Sequence, residues 1–272
     1  ALLSRGYHFV GPAEGAQACG DTGAGRMTEP LEIAEHVAAL FKTQSLSGQH
    51  VVITAGPTRE LIDPVRYVSN FSTGKMGFAL AQAAVEAGAK VTLIAGPVDL
   101  PTPERVQRIN VITANDMLEA VESVVSSTTL FIASAAVADF RPTTPAEQKI
   151  KKASDSETMT LEMVKNPDIL AAVASADNAP FTVGFAAETE DLIPHARDKL
   201  VRKGIHMIVV NDVSREDIGF ASNANEVTVL FNEASTGHSD GEIENDPIHI
   251  DKCDKHHLAR RLLELIASRL TR

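Results

Sequence analysis

Apolar residues along this chain fall into two alternating kinds of run. VVITA (51–55), KVTLIAG (90–96), RINVITA (108–114), TLFIASAAV (129–137), FTVGFAAE (181–188) and HMIVVNDV (206–213) are short and nearly continuously apolar. Runs of that kind are expected of strands covered by helices on both faces of a parallel sheet. Between them, FALAQAAVEAG (78–88), NDMLEAVESVV (115–125), PDILAAVASA (167–176) and EDLIPHARDKLVRKG (190–204) carry helical spacing. Strand and helix patterns in alternation predict an α/β fold with a doubly wound, mostly parallel, Rossmann-like sheet. EVTVLFN (226–232) and EIENDPIHID (242–251), joined by a Gly- and Ser-containing stretch, predict an appended β-hairpin. The run 255–270 repeats leucine and isoleucine at three- and four-residue spacing behind Asp254, which predicts a capped C-terminal helix.

Ahead of residue 50 the pattern is different. Residues 1–30 are rich in glycine and small residues and show no period, so they are expected to form a loop. LEIAEHVAALF (31–41) behind Pro30 predicts one amphipathic helix, and KTQSLSGQ (42–49) a polar linker. The expected division is therefore a leader at 1–49 and a main domain at 50–272. The chain opens without an initiator methionine, in what reads as the middle of an element, which predicts a fragment or a truncated chain.

Composition narrows the class. With 272 residues and 44% hydrophobic content, the chain can bury one large core or two modest ones. A formal charge of −11 and the lack of a basic stripe with aromatics argue against unspecific nucleic-acid binding, although a local basic pocket fits an acidic whole. Two cysteines, Cys19 and Cys253, do not make a disulfide framework. No stretch reads as a membrane span or signal peptide, so the expected location is the cytoplasm.

The candidate chemistry starts in the segment between VVITA and FALAQ, about twenty residues where such connections usually take about two to six. Its end, STGKMG, invites a phosphate-loop reading and fails it: Ser69 stands where the first glycine should be and Met76 where the magnesium-binding hydroxyl should be. The dinucleotide fingerprint fails too, because Gly23-x-Gly25 is followed by Thr28 and no strand precedes it. Ser72, Thr73 and Gly74 at a helix mouth still suit either an anion or an ordinary cap. Downstream, Asp139 and Arg141 follow a strand that ends in small residues, where a ribose, base or metal would be met; a turn cap and plain packing explain them equally. KIKK (149–152) reads as a solvated run or as cations closing over a polyphosphate. MVKNPDI supplies Lys165 and Asn166 and is expected to place Pro167 at a first helical position, a helix start that offers another anion or hydroxyl site. Phe185 is core or a platform for a flat base, and Lys199 and Lys203 share a helix face. CDKHH (253–257) lacks further ligands for a zinc site and reads as a surface helix start.

Taken together, ITAGPTRELIDPVRYVSNFSTGKMG, AAVADFRP, KIKK, MVKNPDI, GFAAET and VVNDVS resemble, in order, the synthetase domain of the bacterial bifunctional coenzyme A biosynthesis enzymes. These are CTP-using phosphopantothenate–cysteine ligases. The resemblance implies attack of the 4′-phosphopantothenate carboxylate on the α-phosphate of CTP, then displacement of CMP by the cysteine amine. It implies that Asn70 handles the acyl-cytidylate and that Lys149 meets the nucleotide. It further implies a nucleotide shell of Ala133, Ser134, Ala135, Asp139, Pro167, Asp168, Ile169, Leu170, Phe185, Lys199 and Lys203, with Asp139 next to Mg2+; the helix mouth at Ser72, Thr73 and Gly74 is expected to join it for the phosphates. It implies a homodimer, with the hairpin after Val227 in the contact. The leader resembles the end of the partner domain, a flavin (FMN) decarboxylase, with Cys19 as its proton donor. The other residues of that active site would lie upstream, so FMN and decarboxylation are expected only of a full-length protein, which would form a higher oligomer. Two rivals stay open from the residues alone: an NAD(P)-dependent reductase, for which the fingerprint and a Tyr-x-x-x-Lys pair are absent, and a non-catalytic nucleotide-binding module.

Overall fold

The computed structural model describes residues 2, 5, 7–16, 22–40, 44–151, 158–188, 192–212, 222–232 and 247–270. They form two compact units, 1–44 and 45–272. In the smaller unit, β1 (Ala13–Ala16) and β2 (Thr22–Arg26) pair antiparallel, followed by α1 (Pro30–Leu40). A hairpin thus stands where a patternless loop was expected. Glycine and alanine give no alternation to read, and the pairing is carried by backbone groups. The larger unit starts at Ser45 rather than at residue 50, and Leu46 is fully buried in its core.

The larger unit is built on β3 (His50–Ala55), whose residues are all buried. Two short strands, β4 (Arg59–Leu61) and β5 (Tyr67–Ser69), pair within the long connection that follows. Then come α2 (Lys75–Glu86), β6 (Lys90–Ala95), β7 (Val106–Asn110), α3 (Ala114–Val125) and β8 (Leu130–Ala133). A second small pair, β9 (Phe140–Pro142) with β10 (Met163–Lys165), leads to α4 (Ile169–Ala174). The chain closes through β11 (Phe181–Glu188), α5 (Leu192–Lys203), β12 (Met207–Asp212), β13 (Ala224–Phe231), β14 (Ile248–Asp254) and α6 (Lys255–Leu270). The eight-stranded sheet has the order β14-β13-β12-β11-β8-β3-β6-β7. All neighbours are parallel except β12/β13 and β13/β14, so the fold is α/β with an antiparallel hairpin at one edge.

Period-two alternation divides the core. Val51, Ile53 and Ala55 of β3, with Val91, Leu93 and Ala95 of β6, face α2 and α6. Val52, Ile94 and Phe131 face the other way, toward Met117 and Val121 of α3 and Val173 of α4. α5 covers the same side farther along, over Ile208 and Val210. Burial on both faces is why these strands read as continuous apolar runs. No helix among the described residues is long and apolar enough to cross a membrane.

Candidate active site

From β3 the chain steps to β6 and β7 on one side of the sheet, then returns to β8 on the other. The strand order therefore reverses between β3 and β8, and in open α/β sheets ligands bind in the crevice beyond the carboxyl ends at that point. A cavity of about 840 Å³ lies there, lined by Thr54, by residues 133–140 and 165–170, and by Phe185, Lys199 and Lys203.

Its floor is fixed by backbone bonds between the two strand ends. Ser134 N–H donates to Thr54 O at 3.1 Å, and Ala136 N–H to Gly56 O at 2.9 Å. Pro57 forms a parallel bridge with Ala136. Thr58, fully buried, accepts the Ala138 N–H on its Oγ1 at 3.0 Å. Asn70 donates its Nδ2 to Ala136 O at 3.1 Å, and Ser69 Oγ donates to Thr58 O at 2.6 Å. The long connection is thus a laced segment that carries Asn70 to the floor.

At the mouth of α2, Gly74 is left-handed (φ 77) and caps the helix without a side-chain bond. A Cβ there would stand 3.1 Å from Val98 Cγ1, so glycine suits both the turn and the close approach. Ser72, Gly74, Lys75 and Met76 line the cavity. Thr73 is half-buried and does not line it.

Across the crevice, Asn166 locks the loop after β8. Its N–H donates to Asp139 O at 2.8 Å and its Nδ2 to Ala138 O at 2.7 Å, while Arg141 Nη1 donates to its Oδ1 at 3.1 Å. This leaves the Asp139 carboxylate exposed at the cavity wall. Asp168, rather than Pro167, starts α4: it is the N-cap and accepts the Ala171 N–H at 3.1 Å. Pro167 stands one residue ahead of the cap. Lys203 Nζ donates to Asp168 Oδ1 at 3.0 Å. Burial pushes the Asp168 carboxyl up, but Lys203 and the cap bond outweigh it and the net shift is downward. Ile169 and Leu170 add an apolar wall, with Phe185 half-buried opposite the lysines of α5.

Five lysines, Lys75, Lys165, Lys199, Lys203 and Lys255, line this cavity against two aspartates, Asp139 and Asp168. In a chain of net charge −11, that local excess marks a site for a polyanion. The sequence pointed to Lys165 within MVKNPDI but gave no role to Lys75 or Lys255, nor to Asn211 and Asn225, which also line the cavity. Lys255 also corrects the surface reading of CDKHH: it is only 6% exposed.

Lys149 is exposed and does not line the cavity. It is anchored through its neighbour. Ile150 N–H donates to Asp63 Oδ2 at 3.1 Å, and Arg66 Nη2 donates to Ile150 O at 3.0 Å. Arg66 Nε also donates to Asp63 Oδ2, at 2.9 Å, and the Arg66 guanidinium first, with the Val65, Ile150 and Arg66 N–H groups, holds the Asp63 carboxyl below the usual range. A depressed carboxyl pKa contributes stability above the unfolded value near 4 and loses it as pH falls. Asp63→Asn is therefore expected to lower stability at pH 7, with the gap to the parent narrowing below about pH 4. Urea denaturation at pH 7 and pH 3 checks this; a gap that does not narrow removes the ionic account. Cys19 and Lys152 lie outside the described residues. Among the described residues, no group of three or more His, Cys, Asp or Glu is placed to hold a metal ion.

Comparison with known proteins gives the family and the fold. Residues 46–270 match the family model of the DNA/pantothenate metabolism flavoprotein C-terminal domain. The coenzyme A biosynthesis bifunctional protein CoaBC of Vibrio cholerae is 58% identical over 233 residues, covering 85% of this chain and 58% of that protein. The Escherichia coli K12 protein of the same name is 50% identical over 235 residues with the same coverage. The chain thus spans under two thirds of the length of these relatives. The crystal structure of the C-terminal domain of a CoaBC protein superposes with a TM-score of 0.68 at 35% identity, over 84% of this chain and 98% of that one. A Cab2 variant in complex with phosphopantothenate-cysteine shares the fold, with a TM-score of 0.62 at 17% identity, over 90% of this chain and 96% of that one.

Proposed function

The chain belongs to the family of the DNA/pantothenate metabolism flavoprotein C-terminal domain, and from that premise we propose that it ligates 4′-phosphopantothenate to cysteine with CTP, for coenzyme A biosynthesis. The observation that carries this reading is the crevice at the strand-order reversal, with small residues at its floor and five lysines against two aspartates at its walls.

A carboxylate does not react with an amine at neutral pH, so its oxygen must first become a leaving group. The phosphopantothenate carboxylate oxygen bonds to the α-phosphorus of CTP. The bond from that phosphorus to the bridging oxygen breaks, and its electron pair leaves with pyrophosphate. The cysteine amine then adds to the acyl carbon of the cytidylate, loses a proton, and CMP departs. Neither step needs a protein nucleophile; the residues position reactants and offset phosphate charge. In this reading Ala133, Ser134 and Ala135 let the nucleotide approach the backbone, and Phe185 offers a face to the base. Lys199 and Lys203, with the Pro167–Leu170 turn, hold the nucleotide on the α5 side. Ser72 and Gly74 take phosphate oxygens at the α2 mouth, where N–H groups and the helix dipole favour an anion. Asn70 stands beside them for the acyl group.

Magnesium suits such a site. It is commonly held by one or two carboxylates together with substrate phosphates rather than by a protein cage; of the two exposed carboxylates on the cavity wall, Asp168 is bonded to Lys203 and Asp139 is the one set in the loop after β8. Asp139 would hold the ion, which when bound supplies positive charge at the phosphates. FMN belongs to a decarboxylase domain whose end is the 1–49 leader, with Cys19 as proton donor in the full-length enzyme. The ligase unit pairs as a homodimer, with the β13–β14 hairpin in the contact, and the full-length enzyme forms a higher oligomer.

Incubation with CTP, phosphopantothenate and cysteine tests the reading. Pyrophosphate release that requires phosphopantothenate is the expected result; release without it, or none, refutes ligation. Lys149 stands outside the cavity wall, and its part in this reading rests on the family resemblance; Lys149→Gln is expected to slow the first step by roughly tenfold or more, the effect of removing a positive charge that meets the nucleotide. Breakdown of preformed cytidylate should be normal in that variant, and cytidylate formation at the parental rate would remove the role given to Lys149.

A further inference from the structure

Two cavities meet at a pair of lysines. Beside the crevice lies a second cavity of about 500 Å³, walled by Phe78, Leu100, Pro101 and Pro103, and Lys75 and Lys255 line both. Each is the first residue of a helix, Lys75 of α2 and Lys255 of α6. A cation at a helix N-terminus opposes the helix dipole. Lys255 is moreover buried, and its ammonium donates to Ser222 O at 2.6 Å. Lys75 Nζ donates to Asn223 Oδ1 at 2.8 Å. Consecutive residues therefore hold both cationic heads at the partition. Burial first, then the charge of Lys75, brings the Lys255 pKa down to about 8. Burial, two opposing helix dipoles and mutual repulsion all raise the free energy of this pair. A highly charged anion arriving between them would offset these costs.

We propose that Lys75 and Lys255 hold the terminal phosphates of the nucleotide and the pyrophosphate it releases. The inference rests on the nucleotide reading of the crevice and adds to it the end at which charge develops. When the α-phosphorus changes partners, the electron pair of the broken bond goes to the β-phosphate oxygen, and two prepositioned ammonium groups there stabilise the departing group. Asp254, the carboxylate on the second cavity, is engaged in capping α6: its Oδ1 accepts the His256 N–H at 2.8 Å and the His257 N–H at 3.4 Å.

Calorimetric binding of inorganic pyrophosphate and of CMP to the 272-residue chain separates the subsites. For Lys75→Gln and Lys255→Met, pyrophosphate affinity is expected to fall about tenfold or more, the usual scale of a lost charge-assisted contact, with CMP affinity within about twofold of the parent. Lys255→Arg should restore most of the pyrophosphate affinity, which a merely structural role would not require. Pyrophosphate affinity unchanged in both variants, or equal losses for CMP and pyrophosphate, overturns the proposal alone. A parent chain that binds neither probe overturns the nucleotide reading together with it. Lys255→Met removes a buried charge and should melt no lower than the parent; if it does not fold, Lys75→Gln decides.

Discussion

Gly96→Ala is expected to destabilise the larger unit by about 3 kcal/mol or more and to abolish ligation, at the upper end of what overpacking costs. A Cβ on Gly96 would stand 1.9 Å from Pro57 O and 2.8 Å from Pro57 C. The obstacle is backbone, so no side-chain rotation relieves it. Gly96 cannot back away either, because it directly follows β6 and its N–H donates to Ala55 O at 2.9 Å. The displacement would pass to Pro57, and through its bridge to Ala136 it would reach the floor of the crevice. Urea denaturation and phosphopantothenate-dependent pyrophosphate release read the two effects. A variant within about 0.5 kcal/mol of the parent would mean that the Pro57 turn yields freely, contrary to the packing seen here.

Asn70→Asp should separate the two chemical steps. The Asn70 amide donates to Ala136 O at 3.1 Å, and that bond fixes its direction at the floor. A carboxylate in its place has no hydrogen to donate, faces a carbonyl oxygen, and adds negative charge beside the α2 mouth, where the proposed reading puts phosphate oxygens. Loss of one oriented donor at a site of developing charge lowers rates by about 10²–10³. The expected result is one turnover of pyrophosphate release with acyl-cytidylate accumulating and amide formation slowed to that extent, measured by quenching and separating the products. An unchanged amide yield would count against the role of Asn70.

The fold was legible wherever burial leaves a mark on the order of residues. VVITA, KVTLIAG and TLFIA are apolar on both faces because α2 and α6 lie on one side and α3 and α4 on the other. The edge hairpin and the closing helix were readable for the same reason. The strands β4, β5, β9 and β10 have three residues each, too few to show a period. β1 and β2 are glycine- and alanine-rich and carry no alternation. In the site, Gly74 and Asp139 stood out by their place near strand or helix ends, and Lys203 by sharing a helix face with Lys199. Lys255 did not. In sequence it is one charged residue in a polar helix start; its burial goes with bonds to residues 222 and 223 of a distant segment, Nζ to Ser222 O and N–H to Asn223 O. Lys165 and Asn166 were visible in MVKNPDI, but the bonds from Asn166 to Ala138 and Asp139 depend on the β9–β10 pairing, which no local pattern announces.

The reversal of strand order has a kinetic side. His50 and Thr129, which bond where β3 meets β8, stand 79 positions apart in the chain, and the crevice floor is built across that seam. Pairings between distant segments form slowly because a long loop must close first. During refolding, helix content should therefore return before nucleotide affinity does, so that a fluorescent nucleotide added to the refolding chain reports on the closing of the last seam rather than on the first appearance of structure.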